Sequence, residues 1–414
     1  MIQFRRHQLS NGLRVIVHED YSTPLAAFNI LYNVGSRDES PDQTGFAHLF
    51  EHLMFGGSKN IEVFDVPLQM AGGENNAFTS TDITNYYETL PAQNLETAFW
   101  LESDRMNELA FSEHSLEVQR KVVVEEFKEH YINQPYGDVW HKLRELAYTT
   151  HPYRWPTIGI KPEHIEQARL DDVRNFFFRH YRPNHAILVV AGNVKTDEVF
   201  ALAEEYFGEI PPGNADVKHL PAEPPQTEAR TATVHADVPL NAIYKAWHFP
   251  ARTDPAFYAS DLISDILSGG KSGRLYQALV KEQKLFSEIN CYQTGSIDPG
   301  LLVLEGKLLE GITMEAAEQA IQKELDKVAA HEVEEHELNK VKNRIESQMT
   351  FSEAELLNRA MNLAFAELLG DAGMINEEVK RYLAVTAGEV RSCAEKILRP
   401  SNCSTLYYYS RSLN

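Results

Sequence analysis

Apolar and polar positions along the chain change period several times, and each change marks an element. Residues 4–9 and 13–18 alternate with a period of two, which predicts two half-buried strands. Asn11-Gly12 lies between them and supplies the positive φ that a tight turn needs, so the two runs predict a hairpin. Residues 25–34 are continuously apolar and predict a strand covered on both faces. Residues 45–55 carry Phe46, Ala47, Leu49, Phe50, Leu53, Met54 and Phe55 nearly all round a helical wheel, the pattern of a buried helix, and Gly56-Gly57 closes it. A short helical piece at 66–70 leads through Gly72-Gly73 into residues 74–90. These are rich in Thr, Tyr, Phe and Asn, read as extended, and are too polar for a central strand, so they are placed at a sheet edge. Helices follow at 92–109 and 113–131, the second capped by Ser112. Along it Gln119, Val122, Val123 and Glu126 share an inward stripe, while Lys121 and Glu125, four apart, form a solvent-side pair.

Further helices are predicted at 162–169 and 170–181 and a buried strand at 186–190. From Ile210 the composition shifts to Pro211, Pro212, Gly213, Pro221, Pro224 and Pro225, a linker at 213–230 that divides residues 1–212 from 231–414. A chain of 414 residues exceeds one core, in keeping with two domains. The second half repeats the first. Val173, Arg174, Arg182 and Pro183 match Val390, Arg391, Arg399 and Pro400 at one constant offset, and Gly56-Gly57 matches Gly269-Gly270. The expected fold class is α+β: two homologous α/β domains, each a mostly antiparallel sheet flanked by helices.

Composition narrows the function. Hydrophobic residues at 43% and charged residues at 24% are ordinary for a soluble globular protein. No apolar run is long enough for a membrane span, and the N-terminus reads as the start of the fold rather than a signal peptide. Cys291, Cys393 and Cys403 have no metal-binding spacing, and reduced thiols suit a cytoplasmic location. A net charge of −21 argues against nucleic acid and anionic membrane as partners.

The candidate chemistry sits in the buried helix, as His48-x-x-Glu51-His52. On a helix, residues four apart share a face, so both imidazoles can reach one metal ion with Glu51 on the same flank. Metal-assisted hydrolysis needs nitrogen ligands, an open position for water and a carboxylate to take the proton. The order is that of the inverted zincin pattern. Two histidines and a glutamate on a buried helix are costly unless something satisfies them, and a metal would. A third ligand must come from elsewhere, and Glu126 is the best candidate. The second half carries Asp261, Ser264 and Asp265 at the matching positions, so the motif stands in one copy only. Gly270-Lys271-Ser272 is no phosphate loop, because Asp265 stands where that pattern needs Gly. An edge strand at 74–90 could take up a peptide as a further strand.

These residues resemble the pitrilysin/insulinase family of zinc metallopeptidases, in its two-domain, mitochondrial-processing-peptidase-like form. The resemblance covers Asn11-Gly12-Leu13, Gly45-x-x-His48-x-x-Glu51-His52 with Phe55-Gly56-Gly57, and Gly72-Gly73-x-x-Asn76-Ala77-Phe78-Thr79 with Asp82, Thr84 and Tyr86. It continues through Arg120-x-Val122-Val123-x-Glu125-Glu126, Arg182-Pro183-Asn184 and Gly269-Gly270-x-Ser272-x-Arg274-Leu275. It implies the LuxS/processing-peptidase-like fold, assembled as a clamshell dimer. It implies one Zn2+ held by His48, His52 and Glu126, Glu51 as general base, Gln119 and Glu125 beside the ligands, and Asn76, Ala77 and Phe78 along the peptide substrate.

The second half departs from the family. Self-sufficient members carry an Arg and, seven residues later, a Tyr that bind substrate and stabilise the oxyanion. Here those positions are Lys281 and Glu288. Lysine lacks the planar fork of arginine, and an ionised glutamate cannot donate a hydrogen bond to an oxyanion. The expectation is therefore a zinc metalloendopeptidase for short unstructured peptides that pairs with a zinc-less paralogous subunit supplying Arg and Tyr, with a homodimer as the other assembly. The rival expectation is a catalytically silent structural or assembly subunit.

Overall fold

The computed structural model describes residues 1–214 and 219–412. Part of the expected linker, residues 215–218, lies outside the described residues, as do 413–414. The helices that bear on the site are α1 (Phe46–Leu53), α2 (Glu113–Phe127), α3 (Val139–Ala147), α4 (Phe257–Ser268) and α5 (Leu356–Leu368). No helix of the described residues is long and apolar enough to cross a membrane.

The first unit is built on a six-stranded sheet of β1 (Arg5–Gln8), β2 (Arg14–Glu19), β3 (Leu25–Tyr32), β4 (Glu74–Thr79), β5 (Thr84–Pro91) and β6 (Ala186–Gly192), in the order β1-β2-β6-β3-β5-β4. β2 and β6 run parallel and every other pair is antiparallel. β3 and β6 lie at the centre, and every residue of β6 is buried, as its unbroken apolar run requires. β4 is the edge, and its residues alternate between exposed and half-buried. The expectation of one edge segment over 74–90 needs correction. The stretch is a hairpin, and β5 is an interior strand that buries Thr84, Asn85, Tyr86 and Glu88. Its polar side chains are carried inward on both faces: Asn85 donates to Asn29 at 2.8 Å on one, and on the other Glu88 lies beside the buried Glu102–Arg105 ion pair.

The second unit has a five-stranded sheet of β7 (Arg230–Ala236), β8 (Ala242–His248), β9 (Phe286–Gln293), β10 (Leu301–Leu308) and β11 (Cys403–Ser410), in the order β7-β11-β8-β10-β9. β7 and β11 are its one parallel pair, matching β2 and β6. Without β1 the two sheets have one strand order, and α4 follows β8 as α1 follows β3. The repeat read from scattered matches is thus a repeat of topology.

The two units are not continuous in sequence, because they exchange segments. The first comprises Met1–Lys128, Trp155–Leu220 and Thr350–Glu377; the second comprises Glu129–Arg154, Pro221–Met349 and Glu378–Asn414. α5, from the second half of the chain, packs on β3 and β6 of the first unit. There Arg359 donates to Asp20 at 2.6 Å and bonds His18 at 2.9 Å. α3, from the first half, packs its Val139, Leu143 and Ala147 against Ala242, Tyr244 and Leu406 of the second.

Candidate metal centre

α1 buries Phe46, Ala47, Leu49, Phe50 and Leu53, and Phe50 stacks on Phe176 at 4.9 Å. The stripe left over is His48, Glu51 and His52, all half-buried. The helix begins at Gly45, whose φ of +88° lies in the left-handed region. Its first N–H groups are met by the buried Glu39: Gly45 N donates to Oε2 at 2.9 Å and Ala47 N to Oε1 at 2.8 Å. Burial pushes the Glu39 carboxyl well above the usual carboxylate range, while the two N–H donors favour the anion. Each oxygen accepts one N–H, so we take the anion as the bound form.

α2 starts at Ser112, whose hydroxyl accepts from Ser115 N at 3.0 Å, as expected of a cap. It buries Val123, Val124 and Phe127, leaving Val122 44% exposed, so the inward stripe is displaced from the one expected. Glu126 is half-buried and reaches α1. Its Oε2 lies 3.7 Å from His48 Nε2 and 3.6 Å from His52 Nε2, and the two Nε2 atoms are 3.4 Å apart. Ligands on a tetrahedral zinc with bonds of about 2.1 Å stand about 3.4 Å from one another. The triangle therefore has the edge lengths of three corners of such a tetrahedron. Among the described residues it is the single group of three or more His, Cys, Asp or Glu arranged to hold a metal.

The electrostatics suit the same use. Burial, opposed by Glu126 and assisted by His52, pushes His48 down to about 4, so its imidazole is neutral with a lone pair to give. Glu51 accepts from Thr79 Oγ1 at 2.6 Å. Burial raises its carboxyl, against the Thr79 hydrogen bond and His52. A carboxylate so placed can take a proton from a water beside the triangle. Two imidazole nitrogens and one carboxylate oxygen are a zinc donor set, so the residues present fit that ion.

β4 runs beside α1 as the sheet edge. Asn76 and Phe78 are exposed, Ala77 is half-buried, and Asn76 Oδ1 accepts from Ala77 N at 2.8 Å. Thr79 was not among the expected site residues. Alternation along β4 puts it on the face of Ala77, the one signal that could have found it. Gln119 is half-buried two turns before Glu126. Glu125 is not beside the ligands: its side chain is 73% exposed and pairs with Lys128 at 2.7 Å. Nor does Lys121 pair with it, but with Glu117 at 3.0 Å. A residue adjacent to Glu126 on a helix points about 100° away, which sends Glu125 to solvent.

In the second unit Lys281 Nζ donates to Gln277 at 3.2 Å, and Glu288, on the edge strand β9, pairs with Lys307 at 2.7 Å. Asp261 accepts from Tyr382 at 2.6 Å, and Asp265 lies 3.5 Å from Arg344.

The chain is matched by two family models, one described as "Insulinase (Peptidase family M16)" over residues 14–159 and one as "Peptidase M16 inactive domain" over 167–345. It is 33% identical to the zinc protease PqqE of Helicobacter pylori, over 81% of this chain and 76% of that one. It is 27% identical to an uncharacterized zinc protease of Streptomyces coelicolor, over 96% and 88% of the two chains. The crystal structure of a protease from Helicobacter pylori superposes with a TM-score of 0.92 at 29% identity, covering 99% of this chain and all of that one. With its duplicated sheets and its His-His-Glu triangle in the first copy alone, the chain belongs to peptidase family M16, the insulinase family.

Proposed function

We propose that the chain is a zinc-dependent endopeptidase that hydrolyses short, unstructured peptides and shares its active site with a partner subunit. The observation that carries this reading is the triangle of His48 Nε2, His52 Nε2 and Glu126 Oε2 with the Thr79-bound Glu51 on the same helix face. Zinc, when bound, supplies Lewis-acid polarisation and a more acidic water. The rest is the work of the chain. A peptide adds to β4 as a further strand, its backbone meeting Asn76, Ala77 and Phe78. Glu51 takes the proton of the attacking water on the oxygen that Thr79 leaves free. Water oxygen bonds to the carbonyl carbon, the C–N bond breaks, and Glu51 returns the proton to the leaving amine.

The partner enters through Lys281 and Glu288. Glu288 is engaged with Lys307, and a carboxylate so paired has no hydrogen to give an oxyanion. A zinc-less paralogous subunit would supply the Arg and Tyr; a second copy of this chain is the other candidate. The unpaired Cys291, Cys393 and Cys403 support a reducing, cytoplasmic setting. The rival reading, a silent assembly subunit, draws on the same Glu288–Lys307 pair.

The test measures bound metal and peptide cleavage for the wild type and for Glu51→Gln, each alone and with whatever chain co-purifies from its source. Stoichiometric zinc, cleavage that rises on adding the partner and a metal-loaded but inactive variant support the proposal. Full activity in Glu51→Gln sinks the general-base role. Zinc without cleavage in any combination favours the silent subunit.

A further inference from the structure

The two helices that carry the metal donors are both keyed to one segment, residues 158–168. At α1 the contact is an interlock of backbones. A Cβ on Gly45 would stand 2.7 Å from Ile158 O, and one on Gly159, itself at φ +98°, 2.9 Å from Thr44 O. Thr44 Oγ1 accepts from Ile160 N at 2.8 Å and contacts His164 Nδ1 at 2.8 Å, and Thr44 N donates to the same nitrogen at 3.2 Å. Glu39 then holds Gly45 N and Ala47 N, so the first turn of α1, which carries His48, is tied at both N–H groups. At α2 the contact is Arg120. Its Nη1 donates to Glu166 O at 3.1 Å and Ala168 O at 3.0 Å, and its Nη2 donates to Glu117 at 2.8 Å. Arg120 lies under two turns before Glu126 on that helix.

We infer that residues 158–168 act as a gauge for the metal site, with Arg120 and Glu39 as positioning residues that set the separation between the His48–His52 pair and Glu126. Neither touches a donor atom. Nothing else is needed for the site to depend on them: a tetrahedral ion tolerates ligand displacements of only a few tenths of an ångström, and the two triangle edges that end on Glu126 each span α1 and α2, which meet at this one segment. The inference rests on the proposed metal centre and adds the residues that fix its dimensions.

The test uses the full chain. Zinc affinity is measured by competition with a chromophoric chelator, and site geometry by the visible absorption of the Co2+-loaded protein. Arg120→Met and Glu39→Gln are each expected to lose about ten- to hundred-fold in zinc affinity, the range typical of outer partners of a metal site, and to change the Co2+ spectrum. Arg120→Lys, which can still reach one carbonyl, recovers part of the loss. Lys121→Met, on the exposed side of α2, leaves affinity and spectrum unchanged. Circular dichroism of the metal-free variants sets a temperature at which all are folded; where Arg120→Met does not fold, Arg120→Lys and Glu39→Gln carry the test. Folded variants with wild-type affinity and an unaltered spectrum overturn the gauge while leaving the metal centre standing. A wild-type chain that binds neither ion overturns the metal centre and the gauge with it.

Discussion

α1 and α4 occupy one place in two copies of a topology, yet only α1 carries part of the His-His-Glu triangle that could hold a metal. Both follow the central strand of their sheet and both are closed by a Gly-Gly pair. α1 presents His48, Glu51 and His52; α4 presents Asp261, Ser264 and Asp265. Burial makes the difference. It drives an imidazole to its neutral form, which keeps a lone pair for a metal, as in His48. It penalises the ionised form of a carboxylate, the form that a metal binds. Asp265 is pushed up to about 6, by burial first and by Asp261 second. Asp261 is raised as well and is engaged by Tyr382. Among the described residues α1 gains a third donor, Glu126, and α4 gains none. The scaffold thus provides two half-buried helix faces, and donor chemistry decides which becomes a site.

The largest effect that can break this comparison is on turnover. Glu51→Gln is expected to retain zinc and to lose about 10²- to 10⁴-fold in kcat, measured by steady-state peptide cleavage beside metal analysis. Next comes the third donor. Glu126→Gln should weaken zinc binding by more than an outer partner does, hence beyond about a hundred-fold, whereas Asp261→Asn on the matched helix should leave metal content unchanged. Equal losses from both would mean that α4 also contributes to the site.

Stability should respond in the opposite sense. Asp265 has a folded-state pKa raised from 3.8 to about 6, so the folded chain binds the proton more tightly than the unfolded one. Its contribution is favourable below the ordinary carboxylate pKa and is lost as pH rises through about 6. Asp265→Asn should therefore stabilise the protein at neutral pH by on the order of 1–3 kcal/mol and change little in acid, as read by urea unfolding at the two pH values. The smallest effect concerns α5, which the first unit takes from the second half. Hydrogen bonds from Ser22, with Arg359 of α5 assisting, hold Asp20 down at about 2. Its stabilisation is present above the ordinary pKa and is lost as pH falls through about 2. Asp20→Asn should remove it, at a cost of under about 1 kcal/mol near neutrality.

Some of this was legible from residue spacing. Helical period placed His48, Glu51 and His52 on one face, and polar content placed Asn76 and Phe78 in an extended segment at a sheet edge. Glu126 was reached as the inward carboxylate of its helix, although the stripe used to argue it included Val122, which faces solvent. Other features left no local trace. Glu125 and Glu126 are chemically identical neighbours, and only the direction of α2 against α1 separates a ligand from a surface ion pair. β5 looked too polar to be interior because what its polar groups lie against, Asn29 for Asn85 and the Glu102–Arg105 pair for Glu88, comes from other elements.

What the sequence by itself determined is the shared face of His48, Glu51 and His52, the duplication and the asymmetry between the halves, because these are matters of residue identity and short-range period. The tertiary structure alone decided the exchange of α3 and α5, the Thr79 bond to Glu51 and the anchoring of α1 and α2 to residues 158–168. An amphipathic pattern states that a face will be buried but not against which sheet. A hydrogen bond between distant residues exists only once the backbone has brought them within about 3 Å.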